Sequence, residues 1–230
     1  MSKITKYVSI GYSCAPKYFI STAILKENYY VFDYIGTSMW SVIELINNNF
    51  EDFITDEIIK KILIDTKKTL MYTNKKYYVR FIHDICDQRI KLPNYLENLK
   101  TTYERRITRF FELLADHNVN NKLLCFLRTE ENNTNRIIHD EHKHKFDKSE
   151  HYYICEFSNL IKTKYPTMKF IILYINYSDN LIFDKNNKII FFSKTLKEDG
   201  MCHFVDHVKH IISNNDIYIN NCINEIYPDI

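Results

Sequence analysis

Two uninterrupted apolar runs, Leu123-Leu124-Cys125-Phe126-Leu127 and Phe170 to Ile175, constrain the fold of this 230-residue chain more than any other feature. Each is strand-length and has no polar face, so each suits a strand buried on both sides, as in a parallel sheet covered by helices. Tyr7-Val8-Ser9-Ile10 is a shorter β-prone run that ends at Gly11, and Ile189 to Phe192 follows the turn Asp184-Lys185-Asn186-Asn187.

Helical patterns lie between these runs. Ala15 to Lys26 carries Phe19, Ala23 and Lys26 at helical spacing, with Pro16 in the first turn, where proline is tolerated. Ser38 to Phe50 reads as a helix capped by Ser38. Phe53 to Leu63 reads as another. Asn94 to Asp116, with Asn94 as cap, has one stripe of Tyr95, Leu99, Tyr103, Ile107, Phe110 and Leu114. Further helices are predicted over about Glu150 to Tyr165 and His203 to Ile212. Thr69 to Tyr72 and Lys76 to Ile82 flank a turn at Asn74 and form a hairpin.

Strands alternating with helices predict a single α/β domain over residues 1–230. Its central sheet is mostly parallel with helices on both faces, a three-layer, Rossmann-like arrangement with a β-hairpin insertion before His83. A chain of this length buries about three-quarters of its unfolded surface and needs no covalent staple. Its six cysteines are widely spread, which is the usage of a reducing compartment. No eighteen apolar residues run together and no signal peptide is read, so the expected location is the cytoplasm. The abundance of Ile, Asn, Lys and Tyr matches AT-rich codons, as in a large DNA virus, a protist or a low-GC bacterium; a viral source would make it the host cytoplasm. A formal charge of +2 gives no reason to expect a nucleic-acid partner.

Five constellations could carry chemistry. Ser9-Ile10-Gly11-Tyr12-Ser13-Cys14 puts a thiol at a strand-to-helix junction, where unpaired N–H groups and the helix dipole favour a thiolate or hold an oxyanion. Packing as a small residue is the structural alternative for Cys14. Asp33, between Phe32 and Tyr34, needs a partner if buried, and would otherwise cap a turn. His83-Asp84 ends a predicted strand. Arg105 and Arg109 share a helix face and Arg128 directly follows an apolar strand, so these three could clamp a carboxylate or phosphate, while Arg106 reads as solvated. The tract His139, His142, His144 and His151 lacks compact ligand spacing and is interspersed with lysines, so no metal is expected, nor any other cofactor. His203 and His207 lack the adjacent Glu of the metalloprotease motif.

Taken in order, Ser9-Ile10-Gly11-x-Ser13-Cys14-x-Pro16, Phe32-Asp33-Tyr34-Ile35, Phe50-x-Asp52-Phe53, His83-Asp84, Arg105-Arg106-Ile107-x-Arg109-Phe110 and Leu127-Arg128 resemble one family. Its members are uncharacterised bacterial and large-virus proteins grouped with the papain-like cysteine peptidases. The resemblance spans about Val8 to Ile175 and implies Cys14 as the thiol, His83-Asp84 as the His-Asp pair and Asp33-Tyr34 in place of an Asp-Trp motif. It implies nothing for His203 or His207. A papain-like fold would pack a helical half on an antiparallel barrel, which differs from the three-layer reading above.

A Cys14/His83 pair suits acyl transfer: the imidazole takes the thiol proton, the thiolate attacks a carbonyl, and the imidazolium protonates the leaving group. Asp33, ahead of Asp84, would orient the imidazole. The substrate would be a protein or a small molecule, with no nucleic acid and no membrane as partner. A different class of reading is a non-catalytic α/β module that binds an anionic ligand through Arg105, Arg109 and Arg128. A third is an esterase-like or acyl-transferase site with Cys14 as nucleophile after the first strand.

Overall fold

Both apolar runs become central strands in the computed structural model, which describes residues 4–11, 15–23, 28–55, 59–64, 69–74, 76–81, 94–129, 148–176, 181–193 and 201–230. Strand β1 (Lys6–Ser9) pairs in parallel with β6 (Leu124–Thr129), β6 with β7 (Phe170–Asn176), and β7 with β9 (Ile189–Ser193). The short β8 (Ile182–Asp184) closes the order β1-β6-β7-β9-β8 as an antiparallel edge.

Because side chains alternate across a strand, each central strand feeds two separate cores. Leu124, Phe126, Phe170 and Ile172 face one, together with residues of α2 (Met39–Asn47), α3 (Tyr95–Asn120) and α4 (Glu150–Lys164). Cys125, Leu127, Ile171 and Leu173 face the other, together with α1 (Ala15–Ala23), α5 (Met201–Asn214) and α6 (Asp216–Ile226). The three-layer, mostly parallel architecture is therefore the one that the apolar runs predict, and not a helical half on an antiparallel barrel. Among the described residues, no helix is long and apolar enough to cross a membrane.

The predicted hairpin is present but belongs to a second sheet. Strands β2 (Ile35–Gly36), β3 (Ile59–Ile64), β4 (Thr69–Asn74) and β5 (Val79–Phe81) pair antiparallel in the order β2-β5-β4-β3. The helix expected over Phe53 to Leu63 does not form. Asn49, Phe50 and Asp52 adopt positive φ angles of 50°, 59° and 55°, which end α2 in a turn, and every residue of β3 has a cross-strand partner in β4. Tertiary pairing thus outweighs a weak helical pattern that contains four β-branched isoleucines.

Two boundary expectations are corrected as well. Asn94 does not cap α3 with its side chain; it sits in the left-handed region at φ 69°, and the helix is held by the burial of Leu99, Tyr103, Phe110 and Leu114. Strand β6 continues past Leu127, so Arg128 lies inside the strand and not after it. Ser38 does cap α2, accepting the Ser41 N–H at 3.1 Å. Strands β2 and β8 and helix α6 carried no pattern that distinguished them from connecting segments.

Candidate functional site

At the C-terminal end of β1 the chain turns at Gly11, whose φ is +78°. A Cβ there would sit 2.8 Å from Thr37 Oγ1 and 3.4 Å from an Arg128 terminal nitrogen, so glycine is required by backbone and by space. The N–H of Gly11 donates to Ser9 Oγ at 3.3 Å, and Ile10 N–H continues the ladder to Leu127 O at 3.1 Å. This corner lies directly before α1, which begins at Ala15.

Arg128 reaches the same corner from β6, as the parallel pairing of β1 and β6 requires. Its guanidinium is fully buried. One terminal nitrogen donates to Ile10 O at 2.8 Å; the other donates to Thr37 O at 2.8 Å and to Glu150 Oε1. Nε donates to the same Glu150 oxygen at 2.9 Å. These contacts to described acceptors engage Nε and both terminal nitrogens of the guanidinium. Glu150, in the first turn of α4, also accepts Met39 N–H of α2 at 3.4 Å. The arginine therefore acts as a junction of β1, the loop after β2, and α4, turned away from solvent.

A second buried charge lies between α1 and the turn before β2. Asp33 is fully buried, and its Oδ2 accepts the Tyr30 N–H at 2.8 Å and lies 3.1 Å from Lys17 Nζ. Asp33 thus caps its own turn and also pairs with a cation. Its other oxygen, Oδ1, is buried and has no hydrogen-bond partner among the described residues. Burial pushes the Asp33 carboxyl up to about 6, against the pull of Lys17, the Tyr30 N–H and Arg106. It is therefore ionised at neutral pH and protonates in mild acid.

Lys17 is itself 1% exposed, donates to Asn28 O at 3.0 Å, and stands 5.0 Å from the centroid of the Tyr29 ring. On α3, Arg106 sits 5.7 Å from the same ring and 4.8 Å from that of Tyr103. Arg106, expected to be solvated, is the partly buried arginine whose charge reaches Asp33, whereas Arg105 is exposed and Arg109 half-buried. Arg128 and Arg105 therefore do not share a solvent-facing clamp.

Cys14, His83 and Asp84 lie outside the described residues, as do His139, His142 and His144. His151 stacks on Phe191 with ring centroids 4.8 Å apart. Among the described residues, no three His, Cys, Asp or Glu side chains gather in a way that could hold a metal ion. Burial raises the thiol pKa of Cys125, Cys155 and Cys222, the first well above its ordinary value. All three are free thiols.

The family described as "Putative papain-like cysteine peptidase (DUF1796)" matches residues 5–180, from the approach to β1 through β7 and including the whole second sheet. The chain belongs to this family. "Uncharacterized protein R408" of Acanthamoeba polyphaga mimivirus is 27% identical over 146 residues, which cover 56% of this chain and 64% of that protein. The chain thus spans less than two-thirds of that relative's length. No solved structure matches it.

Two partners in the site were not anticipated. Lys17 could have been noticed as a cation in the first turn of a helix, where the dipole disfavours it, within the apolar context Ala15-Pro16-Lys17-Tyr18-Phe19-Ile20. A buried lysine needs a carboxylate, and Asp33 was the carboxylate already set among apolar neighbours. Glu150 offered less: an acidic residue after a Ser cap is an ordinary helix start.

Proposed function

We propose that the protein is a thiol-dependent hydrolase or acyl-transfer enzyme, with Cys14 as nucleophile, His83 as general base and acid, and Asp33 as the carboxylate that orients the imidazole. The observation that carries this reading is the buried Asp33, fixed through Oδ2 and with Oδ1 unengaged by any described residue. A buried acceptor left without a donor is costly, and such groups concentrate where chemistry needs them.

Chain connectivity supports the assignment of the other two. Cys14 is joined to Ala15, the first residue of the helix that brings Lys17 to Asp33. Strand β5 ends at Phe81 opposite Ile35 and points toward the start of β2, the side on which Asp33 lies. His83 is two residues further on, a span of no more than about 7 Å. The family's own description as papain-like supports the reaction class.

In the proposed cycle, the His83 imidazole accepts the Cys14 proton and the thiolate adds to the substrate carbonyl. The imidazolium then protonates the leaving group, releasing the acyl-enzyme for attack by water or an acceptor. N–H groups at the start of α1 would hold the oxyanion. A non-catalytic anion-binding module would have to rely on Arg105 and Arg109, because Arg128 is spent on Ile10, Thr37 and Glu150.

The test is selective alkylation of the intact protein. Iodoacetamide at about pH 6 labels Cys14 ahead of the other five cysteines if its pKa lies in the activated range of about 3.5–7.5. His83→Ala then slows labelling about tenfold for each pH unit by which the thiol pKa rises. Equal reactivity of all six cysteines, indifferent to His83→Ala, would remove the reading.

A further inference from the structure

The proposed triad leaves Lys17 without a role, although its placement is costly. An ammonium in the first turn of a helix opposes the dipole, and this one is 1% exposed. Its burial is matched by one carboxylate oxygen, Asp33 Oδ2 at 3.1 Å, and one carbonyl, Asn28 O at 3.0 Å. Together with the Tyr30 N–H, Lys17 engages one oxygen of the carboxylate, while the other has no partner among the described residues.

We infer that Lys17 is a positioning residue: its buried ammonium keeps Asp33 charged and turned so that Oδ1 is the acceptor left for an imidazole N–H. The inference rests on the proposed function. A carboxyl buried without a cation takes up a proton, and a protonated Asp33 would no longer hold imidazolium. The charged groups that face Asp33 are Lys17 from α1 and Arg106 from α3, with the Tyr30 N–H from its own turn. Lys17 makes the direct contact, and Arg106 acts on Asp33 through its charge alone. Lys17 therefore sets the pH above which the site becomes competent, acting through Asp33 and not on the thiol.

Carboxyl-carbon NMR of the intact protein reads Asp33 directly. In wild type it titrates near 6; in Lys17→Met the midpoint rises by about 1–3 pH units, and in Lys17→Arg it stays near the wild-type value. An unmoved midpoint in folded Lys17→Met would overturn the inference whatever Cys14 does. The alkylation profile of Cys14 supplies the second readout. Lys17→Met shifts its acid limb upward, whereas in an Asp33→Asn background the same change has no further effect. If Lys17→Met still slows labelling in that background, Lys17 acts on the thiol directly and the inference fails. The Asp33→Asn background also removes the buried charge that could keep Lys17→Met from folding. Uniformly slow labelling of Cys14 in wild type would instead count against the proposed function, with the Asp33 titration still deciding the role of Lys17.

Discussion

Arg128 with Glu150, and Lys17 with Asp33, are two buried ion pairs at neighbouring corners of one fold, built to opposite standards. Around Arg128 the donors meet two carbonyls and a carboxylate. Around Asp33 one oxygen is doubly engaged and the other has no partner among the described residues. The first pattern is what a structural junction requires, since a buried charge is tolerated when its hydrogen bonds are complete. The second leaves a buried acceptor without a donor among the described residues, and under the proposed function that acceptor receives the imidazole N–H of His83.

The strongest way to break this contrast is to remove Arg128. Arg128→Met strands Glu150 and the carbonyls of Ile10 and Thr37, and urea unfolding should show a loss of about 3–5 kcal/mol. Adding Glu150→Gln should not restore it, because the two carbonyls still lack donors. At the other corner, Lys17→Met with Asp33→Asn should come close to wild-type stability, since the pair there is incompletely bonded. If the two double variants behave alike, the distinction between the corners is lost.

The next effect is a pH dependence at the Asp33 corner. Its folded pKa of about 6 lies above the ordinary 3.8, so folding favours the protonated form. The stability contributed by this group is fully present below about 4 and is lost as pH rises through about 6, a change of at most about 3 kcal/mol. Asp33→Asn should flatten that part of the stability–pH curve. A slope of the opposite sign, or one untouched by the substitution, would show that Asp33 is not held as described.

Smaller effects refine the Arg128 corner. Gly11→Ala forces a Cβ toward Thr37 Oγ1 at a backbone angle that L residues disfavour, and should cost about 1–3 kcal/mol in thermal unfolding. Ser38→Ala removes the cap on α2 and should cost about 1 kcal/mol. A Ser38→Ala loss as large as that of Gly11→Ala would mean that the cap, and not the glycine turn, organises the corner.

The layered sheet was legible because Leu123 to Leu127 and Phe170 to Ile175 have no polar face, and only burial on both sides accommodates such runs. The second sheet was half legible. The turn at Asn74 betrayed one hairpin, but β3 is read as helix from its own residues and is a strand only because β4 lies beside it. The site was legible as residue types, in Gly11, Asp33 and Arg128, but not as partnerships. Which acid an arginine meets depends on how strands far apart in sequence line up, and this made Arg128 look like a ligand clamp and Arg106 like a solvated bystander. Lys17 was overlooked because a lysine on a helix usually reaches solvent, and nothing local says that this one is covered by the Tyr29 segment.

That covering has a mechanical side. Helix α1 packs on one face of the parallel sheet and α3 on the other, yet the half-exposed ring of Tyr29 has Lys17 from the first and Arg106 from the second within 6 Å. The two outer layers, which the sheet otherwise keeps apart, are thus strapped together by one aromatic ring and one carboxylate. Any sliding of one layer over the other would change how far the two cations stand from Asp33, so that carboxylate is coupled electrostatically to both outer layers.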